Sequence, residues 1–197
     1  YYGGSSKRNI KNVDLKNNRK NTWGTGLIFN HEIDSIQNVT VAAGFTRQIS
    51  ENANKTAYYS NAYALGLAYN FVHTTYGLDL AHKDTKNKGG AGNKVKNNEV
   101  TAVIRQGLNE DWNVYAMYSY KTEKTLPVGS AYSKSTDRQF LVGTEYYVFK
   151  QGSVKVKPFI EWQATRTKYE NTFDKDSGKQ LDRSRDFKTV IGLRAYW

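Results

Sequence analysis

Histidine, cysteine and paired carboxylates are where catalytic or metal chemistry would start. The chain of 197 residues has no cysteine, which removes thiolate nucleophiles, a disulfide framework and zinc sites built on sulfur. Its three histidines, His31, His73 and His82, fall in separate segments. His82 with Asp84 is the one pairing that could act as an acid–base couple, and an ordinary polar strand end accounts for it more simply. Gly89-Gly90-Ala91-Gly92 lacks the Lys-Ser/Thr that completes a phosphate loop and opens no helix, so it reads as a loop tip. No acid–base constellation remains. The expectation is a protein that is not an enzyme and needs no cofactor or metal.

Charge is the remaining chemical signal. Lys and Arg number 29 against 18 Asp and Glu, a formal net charge of +11. One group of cations occupies alternate positions within apolar-patterned segments: Lys83, Arg105, Lys121, Lys155, Lys157, Lys188 and Arg194, with Glu32, Asp79, Glu145 and Glu161 among them. Lining a passage, such side chains would favour anions over cations; paired with carboxylates, they would fill the interior and carry nothing. A second group falls in polar connections: Lys16, Arg19, Lys20, Lys55, Lys86, Lys88, Lys94, Lys96, Lys134, Lys175, Lys179, Arg183 and Arg185. These suit lipopolysaccharide phosphates or a polyanionic glycan, and equally suit plain solvated loops. Nucleic acid would fit the charge, but there is no recognition helix and no paired aromatic motif, so none is expected.

The elements that must position these residues have a period of two. Tyr63, Leu65, Leu67, Tyr69 and Phe71 alternate with small or polar residues, as do Val154, Val156, Pro158, Ile160 and Trp162, and Phe187, Thr189, Ile191, Leu193 and Ala195. That spacing is the mark of strands with two unlike faces. Polar and Gly-rich breaks cut the chain into about ten strands: 1–13, 22–33, 39–50, 57–72, 75–86, 96–109, 112–125, 135–149, 153–170 and 184–197. Connections alternate between short ones (Asp34–Asn38, His73–Thr74, Glu110–Asp111, Lys150–Gly152) and longer polar ones, which describes an antiparallel up-and-down meander.

No run of 18 apolar residues exists for a membrane-spanning helix, and no charged-then-apolar leader opens the chain, which suits a mature or trimmed product or one never exported. The mean hydropathy of −0.74 excludes helical membrane proteins but not strand-built ones, in which only every second residue meets lipid. Two further features weigh toward a membrane barrel. Gly24, Gly26, Gly44, Ala64, Gly66, Ala68, Gly107, Gly143 and Gly192 share the ionic face, where a narrow bore would need small residues beside long ones. Aromatics gather in two groups: Phe71, Tyr76, Trp112, Phe149 and Trp197 beside the short turns, and Trp23, Tyr118, Tyr120, Tyr146 and Trp162 further up, as interfacial girdles require. Pro158 lies inside a strand and has no N–H to give a ladder, so a bulge is expected there, or a position where the strand has outrun its neighbour.

The C-terminal strand Phe187–Trp197, alternating and ending in an aromatic residue, resembles the closing strand of bacterial outer-membrane β-barrels. The run Lys157-Pro158-Phe159-Ile160-Glu161, followed by a last strand that closes on Gly192, resembles the end of the oligogalacturonate-specific channel family, small monomeric barrels that pass acidic oligosaccharides. The resemblance implies an outer-membrane location, contact with membrane lipid and lipopolysaccharide, a monomer, and twelve strands as the alternative to ten.

Residues 1–197 are thus expected to form a single all-β domain, an antiparallel up-and-down transmembrane barrel acting as a narrow channel for small anionic solutes such as acidic sugars. Arg105→Glu with Lys157→Glu is expected to reverse its ion preference. The alternatives are a closed barrel serving as a surface adhesin or receptor through basic loops, and the barrel module of a larger exporter.

Overall fold

The structure, a computed structural model, describes residues 2–3, 17–52, 57–87, 94–127, 131–173 and 178–196. Most of the expected first strand, the glycine-rich tip at 89–92, Lys16, Lys55, Lys88, Lys175 and Trp197 lie outside the described residues. The described chain is all-β, and every strand pairing is antiparallel. The elements are β1 (Tyr2–Gly3), β2 (Asn17–Asp34), β3 (Gln37–Asn52), β4 (Ala57–Phe71), β5 (Thr74–Asn87), β6 (Lys94–Gly107), β7 (Trp112–Leu126), β8 (Ser133–Tyr146), β9 (Phe149–Gln151), β10 (Val154–Glu170) and β11 (Arg183–Tyr196). Ten of them follow one another across a single sheet in chain order, and β9 pairs with β10 beyond the end of β8. The expected closure is not present among the described residues: β11 pairs only with β10, so the sheet is open.

Local chemistry sets the short turns. Asp34 accepts from the Ile36 amide at 2.9 Å and from the Gln37 side chain at 2.7 Å, which closes the β2–β3 hairpin. Asn109 accepts from the amides of Asp111 and Trp112 at 2.9 and 2.8 Å and closes β6–β7. Such Asx contacts replace the ladder bonds that a turn must give up. Gly152 takes φ +59° at the β9–β10 turn, where a left-handed residue costs glycine nothing. At the other end the strands outrun their expected limits. Lys94, Lys134 and Arg183, along with the backbone of Arg19 and Lys20, belong to strands rather than loops. Leu181 N donates to Thr172 O and Tyr169 N to Asp182 O, both at 2.8 Å, and carry the β10–β11 hairpin outward.

Pro158 is accommodated by the expected bulge. Val156 pairs with Phe149 and Phe159 with Glu145, so Tyr146, Tyr147 and Val148 stand against Lys157 and Pro158. The extra residue lifts the neighbouring strand away where proline has no donor. Tyr147 N donates instead to Asp111 O at 2.9 Å.

Register assigns every side chain to a face, because residues directly opposite share one. One face carries Leu65, Leu67, Leu78, Leu80, Val100, Ile104, Phe140, Ile160, Trp162, Ile191 and Leu193, all exposed. The other carries glycine, alanine and the ionic residues, with Ile28, Val103, Met117, Leu141 and Val190 among them. Among the described residues no apolar side chain is buried; the buried ones are Thr22, Ser119, Glu145 and Lys157, all on the polar face. The sheltered side of the sheet is therefore the ionic side, the reverse of a water-soluble sheet packed on an apolar core. Aromatics border the apolar band: Tyr69 stacks on Tyr76 at 6.2 Å near the short turns, and Trp23, Phe45 and Tyr63 form a chain with centroids 5.1 and 4.9 Å apart further up. Tyr146, expected in the upper group, instead stands opposite Trp112 at the short-turn end.

Candidate functional site

The polar face divides into two walls. Across β2 to β5 it presents Gly24, Gly26, Ala42, Gly44, Ala62, Ala64, Gly66, Ala68, Gly77 and Ala81. Across β6 to β11 it presents long ionic side chains. Small residues on one wall leave space for long ones on the other. A cavity of about 820 Å³ lies against the small-residue wall, lined in part by Gly24, Gly44, Ala64, Lys83, Glu99 and Lys121.

Toward the short-turn end the ionic wall condenses into a network centred on Glu145, which is 4% exposed. Arg105 Nη2 donates to Glu145 Oε1 at 2.8 Å and Lys157 Nζ to the same oxygen at 2.7 Å, while Arg194 Nη1 donates to Oε2 at 2.7 Å. Arg194 Nη2 also donates to Glu161 Oε1 at 2.7 Å, which accepts from Tyr115 Oη at 2.6 Å. Three cations thus share two carboxylates, and a buried charge needs such partners to offset its lost hydration. Lys157 additionally lies 5.0 Å from the Tyr147 ring centroid and 5.3 Å from that of Tyr196.

Two glycines make this geometry possible. Tyr115 and Glu161 stand two strands apart, about 10 Å in a flat sheet, with Gly143 directly between them. The Tyr115 ring lies over Gly143 so closely that a Cβ there would meet it at 2.5 Å. Phe159 lies over Gly192 in the same way, also 2.5 Å from an ideal Cβ, and the Arg194 guanidinium stacks on that ring at 4.1 Å. A side chain at either glycine must displace a ring that holds the network. Gly143→Val or Gly192→Val is expected to destabilise the protein by about 1–3 kcal/mol, as overpacking does, measured by denaturant unfolding. A loss below about 0.5 kcal/mol would show that neither ring is held.

All seven cations expected to line a passage lie on the polar face. The structure does not bring them together as one set. Arg105, Lys157 and Arg194 are consumed in the network. Lys188 pairs with Asp186 at 3.2 Å. Lys83, Lys121 and Lys155 are exposed and make no ion pair among the described residues. Tyr115 and Phe159 escaped sequence reasoning, and Gly143 and Gly192 were expected only as small residues making room on the ionic face, since only the cross-strand register sets Tyr115 opposite Gly143 and Phe159 opposite Gly192. His82 does meet Asp84, at 3.4 Å, and its other ring nitrogen lies 2.6 Å from Asn98 Oδ1. Both His82 and Asp84 stand on the apolar-side face, away from the ionic wall, with Lys94 3.7 Å from Asp84. That arrangement is a polar strand end.

No family model, curated protein or solved structure matches this chain.

Proposed function

We propose that the chain forms an outer-membrane β-barrel and passes small anionic solutes, with acidic sugars as the substrate class. The observation that carries membrane insertion is the inverted burial: exposed leucine, isoleucine and aromatic residues on one face, and the buried polar side chains Thr22, Ser119, Glu145 and Lys157 on the other. Water opposes so large a continuous apolar surface, and lipid accepts it. From Tyr63 to Phe71 the apolar face of β4 runs eight residue steps, about 26 Å along the strand, on the scale of the apolar band of a membrane barrel. Closure of the sheet would remove the unpaired edge of β11, which otherwise exposes backbone donors and acceptors that hydrocarbon cannot satisfy.

Support for anion passage comes from the unpaired lysines of the bore. Lys83, Lys121 and Lys155 make no ion pair among the described residues, although Lys121 stands in register between Glu99 and Asp137, and Lys83 and Lys121 both line the cavity of about 820 Å³. The Glu145 network forms the constriction below. Single-channel recording in a planar bilayer tests this reading. Discrete conductance steps with a reversal potential of anionic sign are expected in a salt gradient. Absence of steps from correctly inserted protein, or cation preference, would end it. Insertion is checked separately: the folded chain should require detergent or lipid to stay dispersed.

A further inference from the structure

Three arginines stand side by side on the apolar-side face. Arg166 of β10 lies directly opposite Arg138 of β8 and directly opposite Arg185 of β11. Like charges directly opposed across strands destabilise a sheet. Here two such pairs share one residue, and none of the three arginines has an ion-pair partner among the described residues. All three are exposed.

The surroundings deepen the imbalance. Lys168 opposes Arg183 one step outward on the same face. Lys134 and Lys168 both reach Glu170, each at 3.7 Å, and Arg183 pairs with Asp182 at 3.8 Å. The available carboxylates are therefore occupied by other cations. A cavity of about 320 Å³ opens among Lys134, Arg138, Arg166, Lys168 and Arg183. Directly below the arginine row come Phe140, Ala164 and Phe187, opposite one another in the next register on this face, with Trp162 stacked on Phe187 at 6.2 Å. A row of cations thus borders the edge of an apolar, aromatic band.

We propose that Arg138, Arg166 and Arg185 form a binding site for the phosphomonoester groups of an anionic membrane lipid, whose acyl chains lie along Phe140, Trp162 and Phe187. The assignment rests on the membrane reading above, and it identifies a lipid partner on the outside of the barrel, separate from the solute in the bore. Charge and shape both favour a lipid over a free anion. Guanidinium groups match phosphate oxygens in bidentate geometry, while the band below offers nothing to a hydrated ion and a continuous surface to hydrocarbon. A phosphorylated lipid would turn the mutual repulsion of the three arginines into a shared attraction.

The test uses the full chain reconstituted in phosphatidylcholine nanodiscs, with or without diphosphoryl lipid A, and the variant Arg138→Gln/Arg166→Gln/Arg185→Gln. The readouts are lipid retention by native mass spectrometry and the temperature of unfolding. For the natural sequence, lipid A should raise the unfolding temperature and stay bound, with retention falling on the order of a hundredfold in the triple variant as three charge-assisted contacts are lost. In phosphatidylcholine alone the triple variant should unfold at the same or a higher temperature than the natural sequence, because only repulsion has been removed. That reversal of sign between the two lipids is the signature of the site. Arg166→Gln alone, which leaves two arginines that no longer oppose one another, should reverse in the same direction by a smaller amount. Insertion into nanodiscs with no preference for lipid A would overturn the site and leave the membrane reading standing. Failure to insert into any nanodisc would overturn both. Equal stabilisation by inorganic phosphate without lipid A would overturn the lipid assignment.

Discussion

Glu145→Gln should lower the unfolding free energy by about 3–5 kcal/mol, the cost of leaving a buried ion without its partner. The substitution keeps the size and shape of the side chain and removes its charge. Arg105 and Arg194 are partly exposed, with side chains 42% and 36% accessible, and can turn toward water. Lys157, at 7% accessible, cannot. Its ammonium would face the rings of Tyr147 and Tyr196 and a neutral amide that neutralises nothing. The double variant Glu145→Gln/Lys157→Met should recover most of the loss, because replacing both members of a buried pair with neutral groups avoids the stranded charge. Urea unfolding in detergent micelles reads both values. A single-variant loss under about 1 kcal/mol would mean that water reaches Lys157 freely, and the network could not then be the constriction.

Lys83→Glu combined with Lys121→Glu should reverse the ion preference of the channel, read as a change in sign of the reversal potential under a salt gradient. These lysines are selected because they line the open cavity and make no ion pair among the described residues. Charges that line a bore without cancellation set its potential, whereas charges already paired contribute little beyond their immediate neighbourhood. Arg105 and Lys157 are less suited to that experiment, because both are bound to Glu145. Arg105→Glu with Lys157→Glu would bring two new carboxylates against Glu145, at the two positions whose cations now donate to it at 2.8 and 2.7 Å. That variant should fail to fold rather than conduct cations. If Lys83→Glu/Lys121→Glu retains full anion preference, selectivity resides below the cavity, at Arg105 and Arg194.

Much of this architecture was legible because a strand has only two faces. A period of two is enough to put Lys83, Arg105, Lys121, Lys155, Lys157, Lys188 and Arg194 together on one side, and the register bears out that grouping. Turn chemistry at Asp34 and Asn109, and the missing donor of Pro158, are also local properties, so the hairpin ends and the bulge could be anticipated from the chain. The limits of the strands at the long-loop end could not, since polar residues there extend hairpins as readily as they form loops. Lys134 and Arg183 were accordingly expected in connections and lie in β8 and β11.

Sequence alone therefore determined the secondary-structure class, the meander and which residues share a face, all consequences of side-chain alternation along one strand. Tertiary structure decided which members of a face meet. Glu145 and Lys157 come together across a bulge, Tyr115 crosses Gly143 to reach Glu161, and Arg138, Arg166 and Arg185 align in one row. Each of these depends on register between strands, and a slip of two residues would preserve every face while breaking every pair. Alternation carries no information about that slip. Only the paired sheet distinguishes a cation that is neutralised from one left to act on an anion.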